Sequence, residues 1–367
     1  MKSLTIYLII EIISLFFMSK AENSYKKEKK NQKSKNKLLV KKSTALAIIS
    51  AIPLILLVGF RGDNVGIDTH RVAQAYERIV SNNMYDNDIQ WLGYGYTFFI
   101  KSISLIFGSN YVVLNTIIAT LTIFFLYKAI WDNAKNKTLS LYLFFSSCLL
   151  YQMMNQSRQQ LAIMIVLFGF KYIKKRDFKK YFIIILLAFC VHKSALIMLP
   201  FYFISNNELN KKNIFLYFLI ATMIVVFEGY VEKLLLYTDY GQTYILSGIY
   251  NDTTKAYYNL IVRIGLLLFA LAFKDKEDKE EKYLYNMGIW CVISQVITSK
   301  VYAFGRITTY FFIFFILLLP NSIEKFSNRF NNKRYINLFI IVLFFIYHIG
   351  YYILTGQLRN DYHTFLY

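Results

Sequence analysis

Four short stretches gather the residue types that could do chemistry. "GFRGDNVGIDTH", Gly59 to His70, places Arg61, Asp63, Asp68 and His70 directly after an apolar run. "NQSRQQ" supplies Arg158 and Gln159, "VHKS" supplies His192, Lys193 and Ser194, and "GRITTY" supplies Arg306. Arg263 and Lys300 lie in or beside other apolar runs. A carboxylate can take the proton of an attacking hydroxyl, and guanidinium pairs bidentately with phosphate oxygens. Asp68 is the first candidate for general base, because Gly66 beside it lets backbone approach closely. His192 is the alternative base or a phosphate donor, since imidazole titrates in a range that suits either.

Each of these residues also has a structural reading. Arg61 can end an apolar helix by snorkelling. Asp63 can form a local ion pair or a turn. Asp68 can cap a helix starting at Thr69. "DND" at 86–88 can bind a cation or stand in solvent. Arg158 can pair with backbone carbonyls, and His192 can be a satisfied buried histidine. Cys148, Cys190 and Cys291 have no metal-ligand spacing and sit in apolar stretches, so they read as buried small side chains.

The elements that carry these residues are apolar. Of 367 residues, 56% are hydrophobic, which is ordinary only for a chain with much of its surface in lipid. Membrane-length runs fall near 3–18, 43–60, 111–130, 139–155, 159–173, 213–228, 257–273, 283–302, 307–320 and 336–354. The first run ends in "SKA", but Glu11 interrupts it and lysines follow, so it is expected to stay as a crossing. The lysine-rich loop 19–42 carries ten lysines against two glutamates. Stretch 171–180 carries six basic residues against one acid, and 324–334 four against one. All three should be cytoplasmic, and the slightly acidic stretches 61–92 and 229–256 should face outside.

Parity fixes two further assignments. Residues 94–107 hold Lys101 and are too short to cross, so they should lie along the outer interface. Residues 181–204 are broken by His192 and Lys193 and should form a re-entrant pair of half-helices with "HKS" at the tip. Both termini then face outside. The expected fold is all-α: one polytopic membrane domain over 1–367, GT-C-like, with about ten transmembrane helices, the re-entrant pair and the interface helix. The polar cluster opens an outer loop over 61–110. Arg158, His192, Lys193, Arg263, Lys300 and Arg306 collect on the same side, which describes a site for a lipid-borne anion such as pyrophosphate.

"RGDNVGID" followed by Tyr76, then "NQSRQQLA", "LAFCVHKSALIMLP" and "GRITTYFFIFFILLLP", in this order along nearly the whole chain, resemble the successive motifs of the EpsG-type, Wzy-like exopolysaccharide (capsule or O-antigen) polymerases. Arg61, Gly66, Asp68, Arg158, Gln159, His192, Lys193, Ser194 and Arg306 match that pattern. The resemblance implies a membrane glycosyltransferase that joins oligosaccharide repeat units carried on polyprenyl pyrophosphate, outside the bacterial cytoplasmic membrane. It implies no cofactor, no metal and no nucleic acid. Its partners would be the lipid-linked oligosaccharide and the bilayer, with a flippase and a chain-length regulator as candidate protein partners. Within that reading Arg158 and Arg306 would clamp the pyrophosphate, with Arg61, Gln159, Lys193 and Ser194 also on the substrate.

Three other classes are weighed. A lipid-linked oligosaccharide flippase needs a basic cavity but should show internal repeats, and none is found. A membrane acyltransferase should keep its reactive histidine near the cytoplasm. A polysaccharide ligase shares the donor and differs only in its acceptor. The aromatic stretch 237–258 reads as an acceptor lid or an interface anchor.

Overall fold

The computed structural model describes residues 2–30, 41–227 apart from 67 and 84, five positions between 229 and 237, 253–274, 280–300, 304–355 and 362–365. Described residues are almost all helical, and they contain no β-strand, only an isolated bridge between Arg61 and Thr364. Contacts gather the chain into two compact units, residues 1–172, 179–196 and 332–367 in the first and 173–178 and 197–331 in the second.

The first unit is built from α1 (Lys2–Lys30), α2 (Lys42–Gly59), α3 (Thr69–Val80), α4 (Asp86–Leu92), α5 (Tyr94–Phe107), α6 (Tyr111–Asn133), α7 (Lys137–Ser146), α8 (Leu149–Asn155), α9 (Ser157–Lys174), α10 (Phe178–Val191) and the helix Lys333–Thr355. α1 corrects an expectation. Instead of giving way to a loop at 19, the helix runs on through "KAENSYKKEKK", a stretch rich in strong helix formers. Its two acids are more than counter-charges. Glu28 accepts the Ser43 N–H at 2.9 Å and its hydroxyl at 2.6 Å at the start of α2. Glu22 does the same for Thr138, at 2.9 and 2.8 Å, at the start of α7. Both carboxylates meet unsatisfied donors at the positive end of a helix. Ser50 on α2 ties in the middle of the layer, donating to the Ser14 carbonyl at 2.6 Å and lying 2.8 Å from the Tyr127 hydroxyl.

The second unit holds the helices Lys211–Val226, Thr253–Ala272 and Glu281–Lys300, and a pair, Gly305–Phe312 and Phe315–Ser327, bent by 46°. Asn286, fully buried, is its hub: Nδ2 donates to the Ser205 and Asn207 carbonyls at 3.0 and 2.9 Å, and Oδ1 accepts from Tyr217 at 2.8 Å.

Among the described residues four helices are long and apolar enough to span a bilayer: Ser3–Lys30, Lys42–Gly59, Tyr111–Asn133 and Lys333–Ile353. The bent pair makes a fifth if it counts as one span. Fewer helices are both long and apolar enough than the roughly ten expected, because several runs are short or interrupted and others, such as the 20-residue Glu281–Lys300, carry too many polar residues. The run 139–155 is two helices, broken where Cys148 takes a left-handed conformation at φ 57°. Residues 94–107 do form one helix, α5, and α10 breaks at His192 into a 3₁₀ turn, Lys193–Met198. Cys148 and Cys291 are buried, but Cys190 is exposed on α10, a correction that follows from an apolar helix turning one flank outward. Most of the expected loop 229–256, most of the aromatic stretch 237–258, and residues 31–40 of the lysine-rich loop lie outside the described residues.

Candidate functional site

In the first unit the polar residues converge on the corner between α4 and α5. The loop after α2 is laid against α8 by close backbone contact. Gly66 has φ +104°, and any side chain there would run into the Met154 carbonyl. The Asp68 N–H then donates to the Asn155 carbonyl at 3.2 Å, and the Thr69 hydroxyl to the Met154 carbonyl at 3.3 Å. Asp68 occupies the N-cap position of α3, yet its side chain makes no capping bond. Its half-buried carboxylate has no hydrogen-bond or ion-pair partner among the described residues.

Three residues beyond Asn155, Arg158 is buried and reaches the α4 end. Its Nη1 donates to the Trp91 and Leu92 carbonyls at 3.1 and 3.0 Å, so the backbone-pairing role considered for it is real. Its guanidinium also lies 4.2 Å from the centre of the Trp91 ring and 5.4 Å from that of Tyr96. Lys193, exposed, reaches the Gln90 carbonyl at 3.4 Å. His192 Nδ1 lies 2.7 Å from the Ser194 hydroxyl. The α10 end is held close because Gly95 faces the Cys190 backbone with no room for a side chain. Two cations thus sit on the C-terminal carbonyls of α4, where the helix dipole is negative. Gln159, the next residue, is buried too.

Arg61 does not snorkel, which is the structural alternative to its substrate-binding reading. It is 1% exposed and turned inward, donating through Nε to the Val65 carbonyl at 3.2 Å and through Nη1 to the Val58 carbonyl. Tyr7, Tyr96, Tyr111 and Tyr362 surround it, and among the described residues Nη2 has no hydrogen-bond partner. Burial lowers its pKa and raises those of Tyr96 and Tyr362, the latter to about 12, with the nearby guanidinium opposing both tyrosine shifts. Residues 362–365 close over it: Gly62 N–H donates to the His363 carbonyl at 2.9 Å and Phe365 N–H to the Phe60 carbonyl at 3.2 Å. Asp63 pairs at the surface with His70, 3.1 Å away, and not with Arg61.

Residues 86–88 resolve differently again. Asp88 is buried and accepts two bonds from Arg78, both 2.7 Å, so the cation it binds is a side chain of α3. That fork holds the Asp88 carboxyl below its ordinary pKa. Two residues of the corner escaped sequence reasoning. Arg71 lies 4.1 Å from the centre of the Trp91 ring, which Arg158 also approaches. The available signal was the placement of Arg71 one helical turn beyond Asp68.

Arg306 opens the helix Gly305–Phe312 of the second unit and is half-buried. In the same unit Arg263 is buried, bonded to Gln295 and stacked 4.6 Å over Phe312. Lys300 ends the helix Glu281–Lys300.

Several apolar helices of spanning length, with polar residues gathered where they end, define a multi-pass membrane protein. A family match over residues 44–364 covers most of the chain, and the chain belongs to the EpsG family. EpsG is a Wzy-like, polymerase-type family, which points to a polymerase-like role in exopolysaccharide biosynthesis. No curated protein and no solved structure matches the chain.

Proposed function

We propose that this protein is a membrane glycosyltransferase that polymerises oligosaccharide repeat units carried on polyprenyl pyrophosphate, at the outer face of the cytoplasmic membrane. One observation carries the reading: a half-buried carboxylate without a partner among the described residues, Asp68, is pinned by its backbone to the segment that delivers Arg158. A carboxylate whose oxygens are not committed to a neighbouring side chain can accept the hydroxyl proton. In the reaction the acceptor hydroxyl oxygen bonds to the anomeric carbon of the donor as the bond from that carbon to the pyrophosphate oxygen breaks. The hydroxyl proton passes to Asp68. The electron pair leaves on the lipid pyrophosphate, whose charge Arg158 and Lys193 offset. His192, bonded to Ser194, is the reserve base. In this reading the shorter apolar helices also cross, which restores the expected topology of about ten spans.

The test compares Asp68→Asn with Asp63→Asn. Asparagine keeps the size but cannot accept the proton, and no capping bond is lost because none exists. Asp68→Asn should reach the membrane at normal level, accumulate single repeat units on lipid, and make about 100-fold less polymer or worse. Asp63→Asn should make normal polymer. If Asp68→Asn polymerises normally, or Asp63→Asn is the more damaging, the base assignment fails and His192 takes its place.

A further inference from the structure

Arg71 has no part in the reading above, yet of the cations at the α4–α5 corner it is the one with its donors unspent. It is exposed, and its guanidinium lies 4.1 Å from the Trp91 ring centre. Among the described residues it makes no hydrogen bond and no ion pair. Asp88, whose carboxylate feels the Arg71 charge, is already forked by Arg78 at 2.7 Å. Asp68, one helical turn back on α3, is not bonded to it either. Arg158 is fixed by contrast: it is buried, and Nη1 is shared between two carbonyls at 3.1 and 3.0 Å.

Both guanidinium groups lean on the same indole. At 4.1 and 4.2 Å from one ring centre, their central carbons are at most about 8 Å apart. Two cations about 8 Å apart repel by roughly 0.5–2 kcal/mol, and the shared ring, at roughly 0.5–2 kcal/mol per contact, and the Asp88 carboxylate let them stand together. A dianionic group between or beside them would remove the repulsion. A diphosphate has the right reach, because its two phosphoryl groups can each take a separate guanidinium. A guanidinium lying over an aromatic ring still presents its N–H fork to a ligand at its edge. Asp68 lies one turn from Arg71, so an anion held there would bring a sugar carbon attached to it toward the carboxylate.

Resting on the polymerase reading, we propose that Arg71 is the main gripping residue for the diphosphate of the lipid-linked substrate. Trp91 is the post that holds its guanidinium in place, and Arg158 adds charge from a fixed position. The site therefore needs no cation from outside the first unit to bind a diphosphate.

The experiment uses the full chain in phosphatidylcholine nanodiscs with inorganic pyrophosphate as the probe, followed by calorimetry. Arg71→Gln should weaken pyrophosphate binding roughly 10–100-fold, the loss expected for charge-assisted bonds. Arg71→Lys should recover part of that, since charge returns without the fork. Trp91→Leu should weaken binding in the same direction, and Trp91→Phe should stay within about threefold because a ring remains. Arg71 is exposed, so its variants should melt as the parent does. Pyrophosphate binding by Arg71→Gln equal to the parent would overturn the proposal. Repeating the titration with phosphatidylglycerol in the nanodisc separates the source of the phosphate. A parent affinity unchanged within about threefold supports the diphosphate, while strong competition would assign the site to lipid headgroups and overturn it. Polymer made by Asp68→Asn distinguishes the two claims. If that variant polymerises normally while Arg71→Gln loses pyrophosphate binding, the assignment of Asp68 as base fails and the binding site stands. If Asp68→Asn is inactive while Arg71→Gln binds normally, the reverse holds.

Discussion

Replacing Gly66 by alanine should disable the protein without unfolding it. The residue has φ +104°, a backbone region that costs an L-residue roughly 1–2 kcal/mol. The added carbon would also sit 2.8 Å from the Met154 carbonyl carbon and from Thr69 Oγ1, and closer still to the Met154 oxygen. The neighbour is main chain, so it cannot swing away, and overpacking of this kind typically costs about 1–3 kcal/mol. Together these give about 2–5 kcal/mol, enough to overcome the Asp68 N–H bond to Asn155 at 3.2 Å and the Thr69 hydroxyl bond to Met154 at 3.3 Å, so the loop should lift off α8. A shift near 1 Å in a reacting group costs on the order of 100-fold in rate. Gly108→Ala is the control. It shares a positive φ, +69°, but nothing stands within 4 Å of its new carbon, so it bears only the backbone term. Polymer per unit of membrane-inserted protein should fall about 100-fold for Gly66→Ala and by less than about tenfold for Gly108→Ala. Normal polymer from Gly66→Ala, or equal damage in both, would refute the idea that close contact with Met154 sets the position of Asp68.

Three further outcomes follow from other contacts. The Asp88 carboxyl is held below its ordinary value of 3.8 by Arg78, so its contribution is complete above that value and lost as pH falls through the lowered one; Trp91 fluorescence melts should show the 69–92 segment weakening only below about pH 4, by about 1 kcal/mol, and Arg78→Gln should abolish that dependence. Arg61→Met should keep normal protein level and melt within about 1 kcal/mol of the parent, because the two carbonyls it bonds are also served by Asn115 at 3.0 Å and Thr69 at 2.9 Å; a collapse in level would show that the buried charge itself holds the fold. In a Cys190→Ser background, an impermeant thiol reagent should label Asn87→Cys on intact cells and Lys29→Cys only after permeabilisation, and the opposite pattern would invert the membrane orientation.

The sequence was most legible where one physical signal sufficed. Runs 43–60, 111–130 and 336–354 are long and unbroken, and each became a single helix. The paired ionisable groups at His192 and Lys193 marked the break after α10. Signals that needed a partner were hidden. Glu22 and Glu28 looked like minor counter-charges because their caps lie 116 and 15 residues away. Arg158 reads in the sequence as a candidate phosphate ligand, but nothing local shows which carbonyls it holds, 66 and 67 residues earlier. The carboxylate of Asp88 looked solvated until the packing of α3 and α4 brought Arg78 back against it. The break at Cys148 rests on one left-handed residue inside an apolar run, which hydropathy does not sense.

The two glutamate caps on α1 also bear on how the molecule tolerates change. Because Glu28 docks the head of α2 and Ser50 reaches across to Ser14, the pairing of the first two helices is decided within the helices themselves. The pairing is therefore set by Glu28 and Ser50 and not by the sequence that connects the two helices. Doubling a connection costs only about 0.6 kcal/mol in closure entropy, whereas losing Glu22 or Glu28 removes a helix cap.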